Sequence, residues 1–239
     1  MLDTLHKENV MRRIGVLLIL ITLLWCASLG QEENDSVFSA GWIIVWNKHL
    51  AVATNPDSLS RDTLFNIAPS VEERTNVLKE EDDYFPEEWH VLSIVGPFVT
   101  IRDTKSSSNG GEVSLKTVEL GSKKQVTISD LFHESDVLKA LLSTDQVASR
   151  LSKPDPKDLA DLIGNIDGGC DMDFNELLTS FCLYYSEEDT ATVQFLLSPG
   201  CLANPAGGAN FQIKLPILPG YRVFFDKALE NRSLGLYLE

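Results

Sequence analysis

Histidine and cysteine are scarce in this chain, with four of each among 239 residues. The histidines stand at positions 6, 49, 90 and 133, never at an HxxxH spacing, and no two cysteines have a CxxC spacing. Since zinc sites usually use such closely spaced ligands, the sequence gives no support for a zinc centre. It also lacks the Gly-x-Ser-x-Gly turn of many serine hydrolases and the Gly-Lys-Ser/Thr end of a phosphate-binding loop. No motif therefore specifies a reaction.

Basic residues are also few, with 20 Lys and Arg against 35 Asp and Glu. The first thirty residues hold three basic and two acidic groups, which leaves 17 basic and 33 acidic groups and a net charge of −16 from residue 31 onward. Such a charge repels phosphate backbones, so we expect no nucleic-acid partner. It is compatible with attraction to a basic protein.

The start of the chain has the layout of a secretory signal peptide. Arg12 and Arg13 precede an apolar run from Ile14 to Ala27, and the small residues Ser28 and Gly30 favour cleavage before Gln31. The run is shorter than the roughly 20 apolar residues of a spanning helix. We therefore predict a signal peptide over 1–30, no stable membrane span after processing, and a secreted, periplasmic or cell-envelope location. An uncleaved anchor is the alternative.

Three cysteines remain after that predicted cleavage: Cys170, Cys182 and Cys201. An exported chain meets an oxidising compartment, which favours one disulfide and leaves one thiol over. We predict a bond between Cys170 and Cys182. The alternative is that all three are buried as small apolar residues.

The order of the segments predicts an α+β fold, in which an antiparallel sheet accompanies a central group of short helices. Strand-like segments occur at 37–53, 89–102 (bent at Gly96-Pro97), 112–120, 190–197, 210–217 and 234–238, and the segment 177–185 is either a further strand or a helix. Helical spacing occurs between 129 and 166 and again at 223–229. We divide the chain into three parts: the signal peptide, an N-terminal segment at 31–87 that has a strand followed by a stretch rich in Asp and Glu, and an RsiV-like domain at 88–239. We expect the domain to form one globular unit with 37–87.

Three stretches within 88–239 carry a family resemblance: residues 91–100 (VLSIVGPFVT), residues 118–132 (VELGSKKQVTISDLF) with 137–142, and residues 193–197 with 215–217. Together they resemble uncharacterised exported bacterial proteins related to the extracytoplasmic domain of RsiV-type anti-sigma factors, which sense lysozyme. The resemblance implies an α+β fold and a binding role. Its motifs are structural, and no lysozyme-contacting residue can be matched in this chain.

A calcium loop is the sharpest local motif. Counted as a twelve-residue EF-hand loop, the segment from 165 to 176 offers oxygen ligands from Asn165, Asp167, the Asp171 carbonyl, Asp173 and Glu176. Against it, the fifth position is a glycine and the sixth, which wants glycine for a sharp turn, is Cys170. The alternative is a surface turn held by Cys170. Ca²⁺ is the one cofactor that the sequence suggests.

Three hypotheses about function follow. The first is an exported binding domain, not an enzyme, that recognises a basic protein or a cell-envelope component. The second is a calcium-dependent structural module at 165–176. The third is an envelope hydrolase that uses a carboxylate pair the sequence does not identify. Trp42, Trp46 and Trp89 could line a sugar groove, although tryptophans at strand spacing usually belong to the core.

Overall fold

The computed structural model describes residues 34–67, 88–107, 110–201 and 208–236. The predicted signal peptide at 1–30 lies outside the described residues, and so does the acidic stretch from 72 to 87. No helix among the described residues is long and apolar enough to cross a membrane.

The first sheet has four antiparallel strands joined in chain order. They are β1 (Asp35–Ser39), β2 (Trp42–Trp46), β3 (Leu50–Asn55) and β4 (Ser60–Asn66). The strand β2 is buried along its whole length, because every residue of its sequence WIIVW is a large apolar one that favours extended backbone. The strand-like segment predicted at 37–53 therefore contains the end of β1, all of β2 and most of β3.

The second sheet is an antiparallel meander of β5 (Glu88–Val95), β6 (Phe98–Ser107) and β7 (Gly110–Glu119). The turn between β5 and β6 is Gly96-Pro97, which confirms the predicted bend. Gly96 has a φ of 58°, and a Cβ built on it would lie 2.5 Å from the ring of Phe224. Only glycine satisfies both the left-handed backbone and the close packing at this turn.

Four short helices follow, in the predicted central group. They are α1 (Ile128–Leu131), α2 (Glu134–Leu142), α3 (Asp145–Ala148) and α4 (Leu159–Asn165). Thr127 caps α1 in a reciprocal arrangement with Asp130. Asp158 caps α4, where its carboxylate accepts a hydrogen bond from the Asp161 N–H at 2.7 Å.

The third sheet contains β8 (Phe181–Glu187), β9 (Thr190–Leu197) and β10 (Ala209–Pro216), and α5 (Arg222–Glu230) follows it. The closing strand expected at 234–238 is absent over its described residues, Leu234 to Leu236. The tail nevertheless lies along β5, since Ile94 N–H donates to Ser233 and Leu236 N–H donates to Leu92. Two such bonds cover the free edge of β5 without forming a regular ladder.

Two apolar clusters account for most of the core. The larger one lies between the helices and the third sheet and includes Leu131, Leu141, Phe181 and Phe195. The second joins the first and second sheets. Its buried members come from both sheets: Trp42, Ile44, Trp46, Ala51, Ala53, Phe65, Val91, Ile94, Val99, Ile101 and Leu120. The fold is α+β as predicted, with its strands divided among three antiparallel sheets instead of one.

Candidate functional site

A disulfide joins two loops at one end of the third sheet. Cys170 is bonded to Cys201, 31 residues further along the chain. The predicted pairing of Cys170 with Cys182 is therefore wrong. Cys170 lies in the exposed loop that follows α4, whereas Cys182 is a buried residue of β8 and keeps a free thiol.

Cys182 lies in a polar seam between the second and third sheets. Its Sγ donates to Ser93 Oγ at 3.8 Å, Ser93 donates to Thr100 at 3.0 Å, and the hydroxyls of Thr100 and Thr117 lie 2.9 Å apart. Leu92 and Leu115 pack beside the thiol. Complete burial raises the pKa of the Cys182 thiol to about 12. It is therefore a neutral packing group, unsuited to nucleophilic chemistry.

Two glycines at this junction leave no room for a side chain, Gly168 within its own loop and Gly200 where the two loops meet. A Cβ on Gly168 would overlap with the carbonyl oxygen of Met172, and one on Gly200 would overlap with the carbonyl oxygen of Gly169. Backbone hydrogen bonds add to the disulfide, because Asp173 N–H donates to Ser198 and Gly208 N–H donates to Asp171. Met172 is buried and anchors the loop in the main core. The loop is thus fixed at several points.

Five residues between 165 and 176 are the candidate calcium ligands, and the first three of these five take part in hydrogen bonds within the protein. The Asn165 amide donates to the backbone oxygen of Asp161 at 2.8 Å and to its carboxylate at 2.6 Å. Asp167 accepts from Gly169 N–H at 2.9 Å. The Asp171 carbonyl, the seventh position of the EF-hand numbering, accepts from Gly208 N–H.

The last two candidates are likewise engaged. Asp173 caps the short 3₁₀ turn Phe174–Glu176 by accepting from Asn175 N–H at 2.9 Å, and Glu176 accepts from Ser198 Oγ at 3.1 Å. Within the described residues, no three His, Cys, Asp or Glu side chains are grouped so that they could hold a metal ion. The segment leads into a strand, not into a second helix of an EF-hand. Calcium binding stays a prediction.

The same loop concentrates negative charge at the surface. Between 165 and 176 it has four carboxylates, from Asp167, Asp171, Asp173 and Glu176, and neither Lys nor Arg. Its basic neighbour is Arg150, whose guanidinium lies 3.8 Å from the Asp171 carboxylate. Asp167 and Asp171 are exposed. We call residues 165–176 the acidic loop.

The tryptophans considered for a sugar groove belong to the core. Trp42 and Trp46 are each only 6% exposed and pack in the second cluster, and the Trp89 ring lies 5.6 Å from that of Phe65. His90, next to Trp89, is half-buried near Glu88 and Arg102. Desolvation by burial, and then the charge of Arg102, lower the pKa of His90 below its ordinary value.

Sequence reasoning missed Cys201 as the partner of Cys170, although the chain holds a signal for it. Cys170 follows Gly168-Gly169 and Cys201 follows Pro199-Gly200, so both stand in loop sequences. Cys182 stands within the apolar run SFCLYY, which is typical of a buried strand. Two loop cysteines are better placed for a surface disulfide than one loop and one strand cysteine.

Comparison with known proteins adds no relative: no protein-family model, no curated protein and no solved structure matches this chain.

Proposed function

We propose that this chain is an exported binding domain, not an enzyme, and that its acidic loop recognises a basic protein, with a basic cell-envelope component as the alternative partner. The observation that carries the proposal is the loop itself. Its exposed carboxylates form a negative surface that has one guanidinium beside it and is tied down by a disulfide.

The fixed geometry of the loop supports a recognition role. A surface that is already ordered loses little conformational entropy when a partner binds. The disulfide, the two cross-loop backbone bonds and the buried Met172 all order the acidic loop in this way. Complementary charge raises the rate of association and selects between partners.

The disulfide also supports export. Bonds of this kind persist in oxidising compartments and are rare in the cytosol. The resemblance to RsiV-type domains points in the same direction, towards an extracytoplasmic protein that binds and does not catalyse. N-terminal sequencing of the chain recovered from the periplasm or medium should give Gln31 as the first residue. An intact chain in the cytosol would remove the export part of the proposal.

Binding can be tested with lysozyme as a basic probe protein. We expect the purified chain to bind fluorescently labelled lysozyme at low salt, with an affinity that falls steeply as salt is added because the carboxylates are screened. The Asp167→Asn/Asp171→Asn variant removes two exposed charges from the acidic loop and should weaken the interaction. Asn can keep the local backbone hydrogen bonds, so the fold should survive.

A matched control variant lies at the opposite end of the same sheet. Glu187→Gln/Glu188→Gln also removes two exposed charges, one at the end of β8 and one in the turn that follows it. A strand of seven residues, such as β8, separates the two ends by roughly 23 Å. Equal weakening by the two variants would mean that only net charge matters. If neither the unaltered chain nor the two variants bind lysozyme, the acidic loop has no basic protein partner of this type.

A further inference from the structure

The first sheet carries an apolar cluster on the face that is turned away from the second sheet. The cluster consists of Ile43 and Val45 on β2 and Leu50 and Val52 on β3, and we call these four residues the outer cluster. Side chains alternate between the two faces of a strand, and the residues that alternate with these four belong to the core shared with the second sheet. The outer cluster therefore lies outside that core.

The outer cluster is buried, yet within the described ranges no further apolar side chain packs against it. Each of its four side chains is at most 8% exposed. The margins of the same face are open by contrast, since Phe38, paired with Ile43, and Thr63, paired with Val52, are both exposed. A buried centre between exposed margins requires a segment that lies across it.

The hydroxyl of Thr54 gives a second sign of such a cover. Thr54 pairs with Ile43 and so lies on the same face of the sheet. Its Oγ1 is out of contact with solvent and has no hydrogen-bond partner. The covered area therefore extends past the four apolar residues along β3.

Two stretches outside the described residues are long enough to supply the cover. They are residues 1–33 and residues 68–87, whereas each of the others has at most six residues. Most of the first stretch is the predicted signal peptide, which an exported chain does not keep. Residues 68–87 then remain, and this choice rests on the export part of the proposed function.

The two ends of 68–87 are well placed for this role. Just before the segment, Asn66 pairs with Leu50 of the outer cluster. Just after it, the ring of Trp89 lies 5.6 Å from the ring of Phe65. The segment thus leaves the first sheet and returns to it at nearly the same place. Its 20 residues do not have to bridge a distance, so they are free to fold back over the sheet.

The composition of 68–87 also fits an apolar face. It has two pairs of large apolar residues, Val77-Leu78 and Tyr84-Phe85, on either side of the four carboxylates at 80–83. Apolar side chains gain free energy by leaving water, whereas burying unpaired carboxylates is costly. The two pairs are therefore suited to contact with the sheet and the run between them is suited to solvent.

We propose that residues 68–87 dock on the outer face of the first sheet, where the two apolar pairs contact the outer cluster and the carboxylates at 80–83 face solvent. Docking of this kind would hold a second acidic surface in place, separate from the acidic loop. It would also explain why a sheet at one end of the fold has two buried faces.

Methyl NMR on the full purified chain tests the contact directly. The chain is labelled at its Ile, Leu and Val methyl groups and keeps protonated aromatic rings. Nuclear Overhauser effects, which report protons that lie close together, should connect the methyl groups of Val45 and Val52 to the rings of Tyr84 and Phe85.

The Tyr84→Ser/Phe85→Ser variant removes the two largest apolar side chains of the segment. It should shift the methyl signals of the outer cluster. Trypsin should also cleave after Arg74 and Lys79 roughly tenfold faster, because a segment that is held less tightly spends more time in the open form that a protease needs.

The matched control is Tyr185→Ser/Val223→Ser. It removes two apolar side chains that are 47% and 51% exposed, one on the third sheet and one on α5. It should leave the methyl signals of the outer cluster and the rate of cleavage in the segment unchanged.

Three outcomes would overturn the proposal: no contact between the outer cluster and 68–87, contact of the outer cluster with the apolar run at 14–27 instead, or equal effects of the two double variants. Lysozyme binding enters none of these measurements. Docking of 68–87 and recognition by the acidic loop can therefore fail separately.

Discussion

Two cysteine-containing regions meet β8 and behave in opposite ways. The seam of Cys182, Ser93, Thr100 and Thr117 is buried between two sheets, and each of its polar groups has a partner inside the protein. The acidic loop, tied by Cys170 and Cys201, is exposed and carries its charge to solvent. The comparison shows that surroundings, more than residue type, decide whether a polar group is buried within the fold or stays at the surface.

The largest expected effect on stability comes from removing the disulfide, and it tests whether the acidic loop and the buried seam unfold independently. Removing the disulfide with Cys170→Ser/Cys201→Ser should lower the free energy of unfolding by about 3 to 4 kcal/mol, since a cross-link over 31 residues restricts the unfolded chain. Chemical denaturation checks this. Cys182 should stay unreactive towards a thiol reagent in the folded variant. Exposure of Cys182 would show that the loop and the seam are one cooperative unit.

The buried polar seam should contribute more to the free energy of unfolding than its few residues suggest. Thr100→Val keeps the shape but deletes the hydroxyl that lies between Ser93 and Thr117, so two buried groups lose a partner. We expect a loss of about 1 to 3 kcal/mol in unfolding free energy. Thr192→Val, at a half-buried strand position, is the control and should change stability by less than about 0.5 kcal/mol. Similar losses in both would argue against a hydrogen-bonded seam.

Calcium tests whether the acidic loop has a second role. If the five predicted ligands bind the ion as weakly as extracellular modules do, about 1 mM Ca²⁺ should stabilise the chain by about 0.4 to 1.4 kcal/mol. The rise in melting temperature should be absent in Asp173→Asn and absent with Mg²⁺. An unchanged melting temperature in the unaltered chain would end the calcium hypothesis and leave the loop as a charged surface alone.

The smallest effect concerns pH and His90. Burial holds its pKa below the ordinary value of 6.5, so the unfolded chain takes up a proton before the folded chain does. Its contribution to stability is therefore present above pH 6.5 and is lost as pH falls through the lower folded-state pKa. His90→Gln should lose less stability on acidification than the unaltered chain does. His133→Gln, at an exposed site, should follow the unaltered chain.

Local sequence signals predicted much of this fold. Gly96-Pro97 marked a tight turn, and the helical spacing after Asp158 marked α4, because both features depend on residues close together in the chain. The division into three sheets was not predictable in the same way. It depends on which strands pair over long distances, and alternation patterns do not encode the partner.

The site was less predictable than the fold. The spacing of Asp167, Asp173 and Glu176 predicts an ion-binding loop, but it does not predict the hydrogen-bond donor that each carboxylate has in the folded chain. The disulfide pairing depended on the burial of Cys182, which follows from the packing of β8 against the second sheet.

The burial of Cys182 has a consequence for how the chain matures. Cys182 is nearer in sequence to Cys170 than Cys201 is, so oxidation of an unstructured chain would favour the nearer, non-native bond. Once β8 is packed, the Cys182 thiol is unionised and inaccessible, and of the three cysteines in the described residues oxidants meet the two in the loops. The packing of β8 therefore selects the pairing of Cys170 with Cys201. Oxidative refolding begun before the sheets associate should accumulate mispaired molecules that need a disulfide isomerase to recover.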